Sequence, residues 1–174
     1  GRGFSMRRVR LMALLALIGS IPMAAGADPI AAGDVVRFSD LPGTTGGGEF
    51  RLTDVNNPEE WIITFCLQKT EYMNFTSNFI VGSITDHTLT DPTANGGING
   101  EDRISSQTAW LYTQARLNPN SIGYQHNQAE ANALQTAIWY FEKEITLTNA
   151  QKLANKYIGY ANQADASRQE LSRT

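Results

Sequence analysis

The chain has 174 residues, 41% of them hydrophobic and 18% charged, with 14 Lys+Arg against 17 Asp+Glu for a formal net charge of −3. That balance excludes the densely basic surface that holds nucleic acid. A single cysteine, Cys66, excludes an internal disulfide framework, so its thiol is buried and inert, shared with another chain, or reactive. For a cysteine with apolar neighbours, a small buried hydrophobe is the ordinary reading.

The first 27 residues read as a secretory leader. Met6 to Arg10 is a basic stretch, Leu11 to Ile18 is apolar, and Ala25-Gly26-Ala27 offers an A-x-A cleavage site. The apolar run is short for a spanning helix and no second one follows, so the expectation is an exported bacterial protein, extracellular or at the cell surface, with no transmembrane segment in its mature chain. Gly1 to Ser5, ahead of Met6, read as upstream sequence. Without residues 1–27 the chain keeps 10 Lys+Arg against 17 Asp+Glu, a net charge of −7 over 147 residues, which suits one acidic domain with a real core. That domain is placed at 28–163, and 164–174 reads as a polar tail with a truncated end.

Val35 to Phe38 is a short strand. Leu41 to Gly48 is a turn-rich loop ending in three glycines, and Glu49 to Val55 alternates with period 2 as a half-buried strand does. No helix or Lys-Ser/Thr follows the glycines, so they are not a phosphate loop. Trp61 to Leu67 is a nearly continuous apolar run, which predicts a strand covered on both faces with Cys66 near its end. Tyr72, Phe75 and Phe79 to Val81 predict one or two further strands, and Asp91 to Gly97 a loop. Asn74-Phe75-Thr76 matches a glycosylation acceptor by chance.

From Ser105 the period changes to 3.6. Ser105 or Ser106 caps a helix with Thr108, Leu111 and Ala115 on one face and Trp110 beside them, ending at Asn118-Pro119. Asn127, with Glu130 three residues on, caps a second helix whose stripe is Ala131, Leu134, Ile138, Phe141 and Ile145. Gln135 lies at the edge of that stripe, about 60° from Ile138 at roughly 100° per residue. A carboxamide buried without partners costs about 1–3 kcal/mol, so Gln135 has either a local hydrogen-bonding role or a chemical one. Leu153, Tyr157 and Tyr160 mark a third helix over about 149–163. The fold class expected is α+β, an antiparallel sheet or small sandwich from the first half with two or three packed helices from the second.

Phe65-Cys66-Leu67, the Thr108-Ala109-Trp110-Leu111-Tyr112 helix and Leu134-Gln135-Thr136-Ala137-Ile138-Trp139 together resemble the bacterial surface thioester domains. Those domains carry an aromatic-Cys-aliphatic tripeptide on a strand and, downstream, a T-Q-x-A-I-W helix; here Leu134 stands at the Thr position. The likeness covers about 35–160. The same segments, with Gly48-Glu49-Phe50, also look like exported Gram-negative proteins that end in a PEP-CTERM sorting signal, although neither that motif nor its apolar helix and basic tail is present.

The resemblance implies an internal thioester between Cys66 and Gln135 that covalently captures an amine, lysine-like, on a protein or matrix partner: adhesion by a single-turnover attachment, not enzymatic turnover. Attack of the Cys66 thiolate on the Gln135 carbonyl would expel ammonia, a poor leaving group, so the pair must be held in near-attack geometry with donors aimed at the oxyanion. Phe65, Trp110 and Trp139 would shield the bond, though as aromatics they are most simply core residues. His126 is the candidate proton shuttle, against the ordinary reading of a solvated histidine at a helix start; His87, in an unpatterned loop, is a weaker candidate, and Glu142 reads as a solvated residue at the stripe edge. No cofactor and no metal are expected. The competing reading is a non-covalent structural or matrix-associated exported protein with Cys66 a buried free thiol. A hydrolase would need a nucleophile elbow, an H-E-x-x-H or a metal-spaced cluster, and the sequence has none.

Overall fold

Period-2 alternation and the breakers between runs divide the first half into strands. The computed structural model describes residues 8–9, 30–43, 47–70, 74–89, 101–148 and 152–172. The strands are β1 (Arg8–Val9), β2 (Val35–Asp40), β3 (Phe50–Asp54), β4 (Trp61–Thr64), β5 (Asn78–Val81), β6 (His87–Leu89) and β7 (Glu101–Arg103). β1 to β5 form one sheet in the order β1-β5-β2-β3-β4, antiparallel from β5 to β4 with β1 added parallel, and β6 pairs with β7. Phe38 opposite Leu52 and Leu52 opposite Ile62 set the register that turns one apolar face inward. Of the leader, only Arg8–Val9 is described; its apolar run and cleavage site, residues 44–46 of the glycine loop and the loop at 90–100 lie outside the described residues.

Two cores result. The sheet core gathers Ile30, Val36, Phe38, Phe50, Leu52, Ile62, Phe79 and Val81, with Phe38 edge-on to Phe50 and Phe79. The helical core is built by α1 (Ser106–Leu117), α2 (Gln128–Phe141) and α3 (Ala154–Leu171), with a 3-10 turn at Pro119–Ile122. Ser105 caps α1 through its hydroxyl and Asn127 caps α2 through its side chain, each satisfying a first-turn N–H. The α+β class is as the periodicity predicts.

Three expectations are corrected. β4 stops at Thr64, so Cys66 lies beyond the strand and not within it; among the described residues β4 is an edge strand, and Trp61 is 43% exposed under the Arg51 guanidinium. The continuous apolar run has its cause in two cores: Ile62 enters the sheet core while Ile63, Phe65 and Leu67 pack on the helical core, so both faces are covered although, among the described residues, no strand pairs with the outer edge. Tyr112 of α1 guards that edge, its hydroxyl donating to the Ile63 carbonyl at 2.8 Å. The expected polar tail at 164–174 is helical to Leu171. Ala, Gln, Arg and Glu are good helix formers, and Asp165 and Arg168 tie this end of α3 to Ser106 and Gln107 of α1. Glu142, read as solvated, is buried: its Oε1 accepts from the Ser105 N–H and hydroxyl, fastening the end of α2 to the start of α1.

Tyr112→Phe removes the donor to Ile63 while keeping the ring. It should cost about 1 kcal/mol, a Tm lower by about 2–4 °C in a thermal melt; an unchanged Tm would show that the edge carbonyl does not depend on this hydroxyl.

Candidate functional site

The sheet and the helical core meet at the chain just beyond β4, and Gln135 is the residue of α2 that crosses to it. α2 is enclosed almost all round, by Ala131, Leu134, Ala137 and Ile138 on the helical side and by the glycine loop on the other, so Gln135 is 0% exposed. Both ends of its carboxamide are engaged. Oε1 accepts from the Cys66 N–H at 3.0 Å and Nε2 donates to the Cys66 carbonyl at 2.7 Å, the pattern a neighbouring strand would make. The Cys66 N–H is shared with the Gly47 carbonyl at 2.9 Å. The Cys66 thiol, half-buried against the sheet core, donates to the Gln68 carbonyl at 2.8 Å.

Two glycines permit this approach. A Cβ on Gly47 would lie 2.3 Å from the Trp139 ring and 2.8 Å from Gln135 Cγ, so no side chain fits there. Gly48 has φ of 122°, and a Cβ on it would sit 3.4 Å from Gln135 Oε1. The glycine run therefore lets a backbone lie flat on Gln135 and Trp139. Trp139, buried and one turn along α2 from Gln135, forms part of this cover, and its indole N–H has no hydrogen-bond partner. Phe65 is buried in the helical core and edge-on to Tyr124 at 6.4 Å; Trp110 packs half-buried on the same core.

Beside the pair lies a group that the sequence reading missed. Glu49, whose side chain is 2% exposed, accepts from the Tyr124 hydroxyl at 2.6 Å and pairs with His126 Nδ1 at 2.8 Å. Period 2 assigns Glu49 to the solvent face with Arg51 and Thr53; only the loop before α2, folded over it, buries the carboxylate. Tyr124 and His126, two hydrogen-bonding residues just ahead of a capped helix, are the one signal that was present. His126 is thus not simply solvated: its φ is 50°, a left-handed backbone costing about 1–2 kcal/mol for a non-glycine residue, and its ring is 39% exposed above the buried carboxylate. His87 pairs with Asp86, which also binds Arg103 across the β6–β7 hairpin and is held below the usual carboxylate range chiefly by the His87 hydrogen bond.

Burial first, then the hydrogen bond to Glu49, pushes the Tyr124 hydroxyl well above its ordinary pKa; burial and Glu130 do the same to Tyr157. Among the described residues no group of three or more His, Cys, Asp or Glu is placed to hold a metal ion, and no helix is long and apolar enough to cross a membrane. No family model, curated protein or solved structure matches the chain. The functional reading therefore rests on the site.

Gly47→Ala should lower stability by about 1–3 kcal/mol through overpacking against Trp139, seen as a lower denaturant midpoint at unchanged slope; a wild-type midpoint would mean the loop yields freely. Because the raised Tyr124 and Tyr157 values lie above the unfolded value of about 10, their contribution is intact below pH ~10 and is lost as pH rises beyond it. Tyrosinate absorbance of these two should therefore appear together with unfolding, and separate, reversible titration of all six tyrosines near pH 10 in the folded protein would contradict their burial.

Proposed function

We propose that the protein is an exported adhesion domain in which Cys66 and Gln135 form an internal thioester that captures an amine on a partner. The observation that carries this reading is the two-point seating of the Gln135 carboxamide on Cys66. The Cys66 N–H lies 3.0 Å from Oε1, the oxygen on which negative charge would develop during attack by sulfur, and it needs no reorganisation to receive that charge. Attack requires the Cys66 sulfur to turn from the Gln68 carbonyl onto Gln135 Cδ, and a pair held in that position would gain effective molarities of about 10⁵ M or more over free thiol and amide.

The balance is simple. The Cys66 sulfur bonds to Gln135 Cδ, the Cδ–Nε2 bond breaks, and Nε2 leaves as ammonia carrying its two hydrogens and the thiol proton. An arriving amine later bonds to the same carbon and releases Cys66 as a thiol, leaving an amide crosslink. Enclosure under Gly47 and Trp139 slows loss of the thioester to water in the interval.

One observation favours the alternative, a structural exported domain. Both hydrogen bonds from Gln135 end on main-chain atoms, and the thiol proton is engaged by Gln68, so the carboxamide also serves as a neutral staple between two cores.

Intact mass of the purified domain decides between them, measured before and after methylamine and beside Cys66→Ala. The expected result is a wild-type mass short by one ammonia that methylamine raises, with the full calculated mass for Cys66→Ala. That variant keeps the main-chain groups that Gln135 binds, so it should remain folded. A full wild-type mass with one titratable thiol would leave only the structural reading.

A further inference from the structure

The face of the main sheet turned away from its core carries side chains that the Cys66–Gln135 site does not use. Val36, Phe38, Leu52, Ile62 and Phe79 point into the sheet core, so the residues that alternate with them share the opposite face. There Arg37 stands opposite Thr53 and beside Asn78, Ser39 opposite Arg51, and Thr53 opposite Trp61. The helical half covers this face at one end, where Ile63 packs on the helical core and Glu49 turns to Tyr124 and His126. Away from that end Arg37 and Ser39 are exposed, and Trp61 is exposed by 43%.

Arg51 is the unusual member. Its guanidinium lies over the Trp61 ring at 4.5 Å, and among the described residues it has no ion pair and no hydrogen bond; its Nε is buried without an acceptor. Arg37, its diagonal neighbour across β2 and β3, donates from Nε to the Asn78 carboxamide oxygen at 3.0 Å, and among the described residues its two Nη groups meet no carboxylate. A guanidinium has five donors in a planar fork, and a donor buried without a partner carries a cost that an acceptor from outside removes. On a chain with a net charge of −3, two uncompensated cations make a local field opposite in sign to the whole.

The kind of ligand follows from what the face offers. β2 and β3 are interior strands, so their main-chain groups are paired within the sheet and side chains alone are presented. An extended acidic peptide, which binds by pairing its main chain with a sheet edge, finds no such partner over these two strands. Two arginines are too few for nucleic acid, whose affinity comes from many phosphate contacts. A saccharide uses the groups present: its hydroxyls suit Ser39, Thr53 and Asn78, its C–H face suits the exposed part of the Trp61 ring, and the carboxylate of a uronic acid suits the arginine fork.

We propose that this face binds an acidic polysaccharide, with its carboxylates held by Arg51 and Arg37 and a sugar ring resting on Trp61. The contact is non-covalent and does not depend on a bond between Cys66 and Gln135.

The test is calorimetric titration of the full chain with polygalacturonate at low ionic strength, beside neutral dextran and poly-glutamate. The expected result is binding of polygalacturonate that weakens as salt is added, with none of dextran and weaker binding of poly-glutamate. Arg51→Gln, Arg37→Gln and Trp61→Ala should each weaken binding about tenfold. Lys143→Gln, which removes the same charge just beyond α2, should leave it unchanged. Arg37 is exposed, so its replacement reads the site without disturbing a packed side chain. No binding of polygalacturonate, equal binding of dextran, equal loss in Lys143→Gln, or wild-type affinity in both arginine variants overturns the proposal. Binding of poly-glutamate as tight as that of polygalacturonate also overturns it and assigns the face to an acidic peptide.

Discussion

The carboxamide of Gln135, bonded at once to the N–H and the carbonyl of Cys66, is the contact on which the arrangement of this molecule depends. Cys66 lies just past an edge strand, where its main chain meets the helical core. Gln135 reaches it from α2 and ties the sheet and helical cores together at that point. Removing the carboxamide would take this donor from the Cys66 carbonyl, while the Cys66 N–H would keep the Gly47 carbonyl.

Other polar contacts along the same seam follow from that one. Tyr112 reaches the Ile63 carbonyl, Glu49 binds Tyr124 and His126, and the Lys69 N–H donates to Glu144. Apolar cores set the two halves; directional bonds between them set their alignment. Such a seam suits reactive chemistry, because hydrogen-bonded main-chain groups hold their positions without reorganising as charge develops. It equally suits a plain structural joint, and the difference lies in the sulfur.

The glycine loop shows how a local feature acquires its meaning. Three consecutive glycines suggest freedom of backbone, but the constraint at Gly47 is space: the Trp139 ring and Gln135 occupy the volume a side chain would take. In the same way the unbroken apolar character of Trp61 to Leu67 reflects two cores meeting at one strand and not a central place in the sheet.

The sequence by itself determined the α+β class, strands β2 to β5 and the three helices in their order, the cap Asn127 and the narrowing of the other cap to Ser105 or Ser106, and the choice of Gln135 as a polar residue turned to a core. These rest on periods of 2 and 3.6 and on capping, interactions between residues a few positions apart. Only the tertiary structure decided that β4 is an edge strand, that α3 runs to Leu171, that Gln135 meets Cys66 through its main chain, and that Glu49 is buried beneath His126. Those contacts join residues 69 and 77 positions apart. A polar side chain at a nominally exposed position carries no local mark of the loop that will later cover it, so its burial is settled only when distant elements pack.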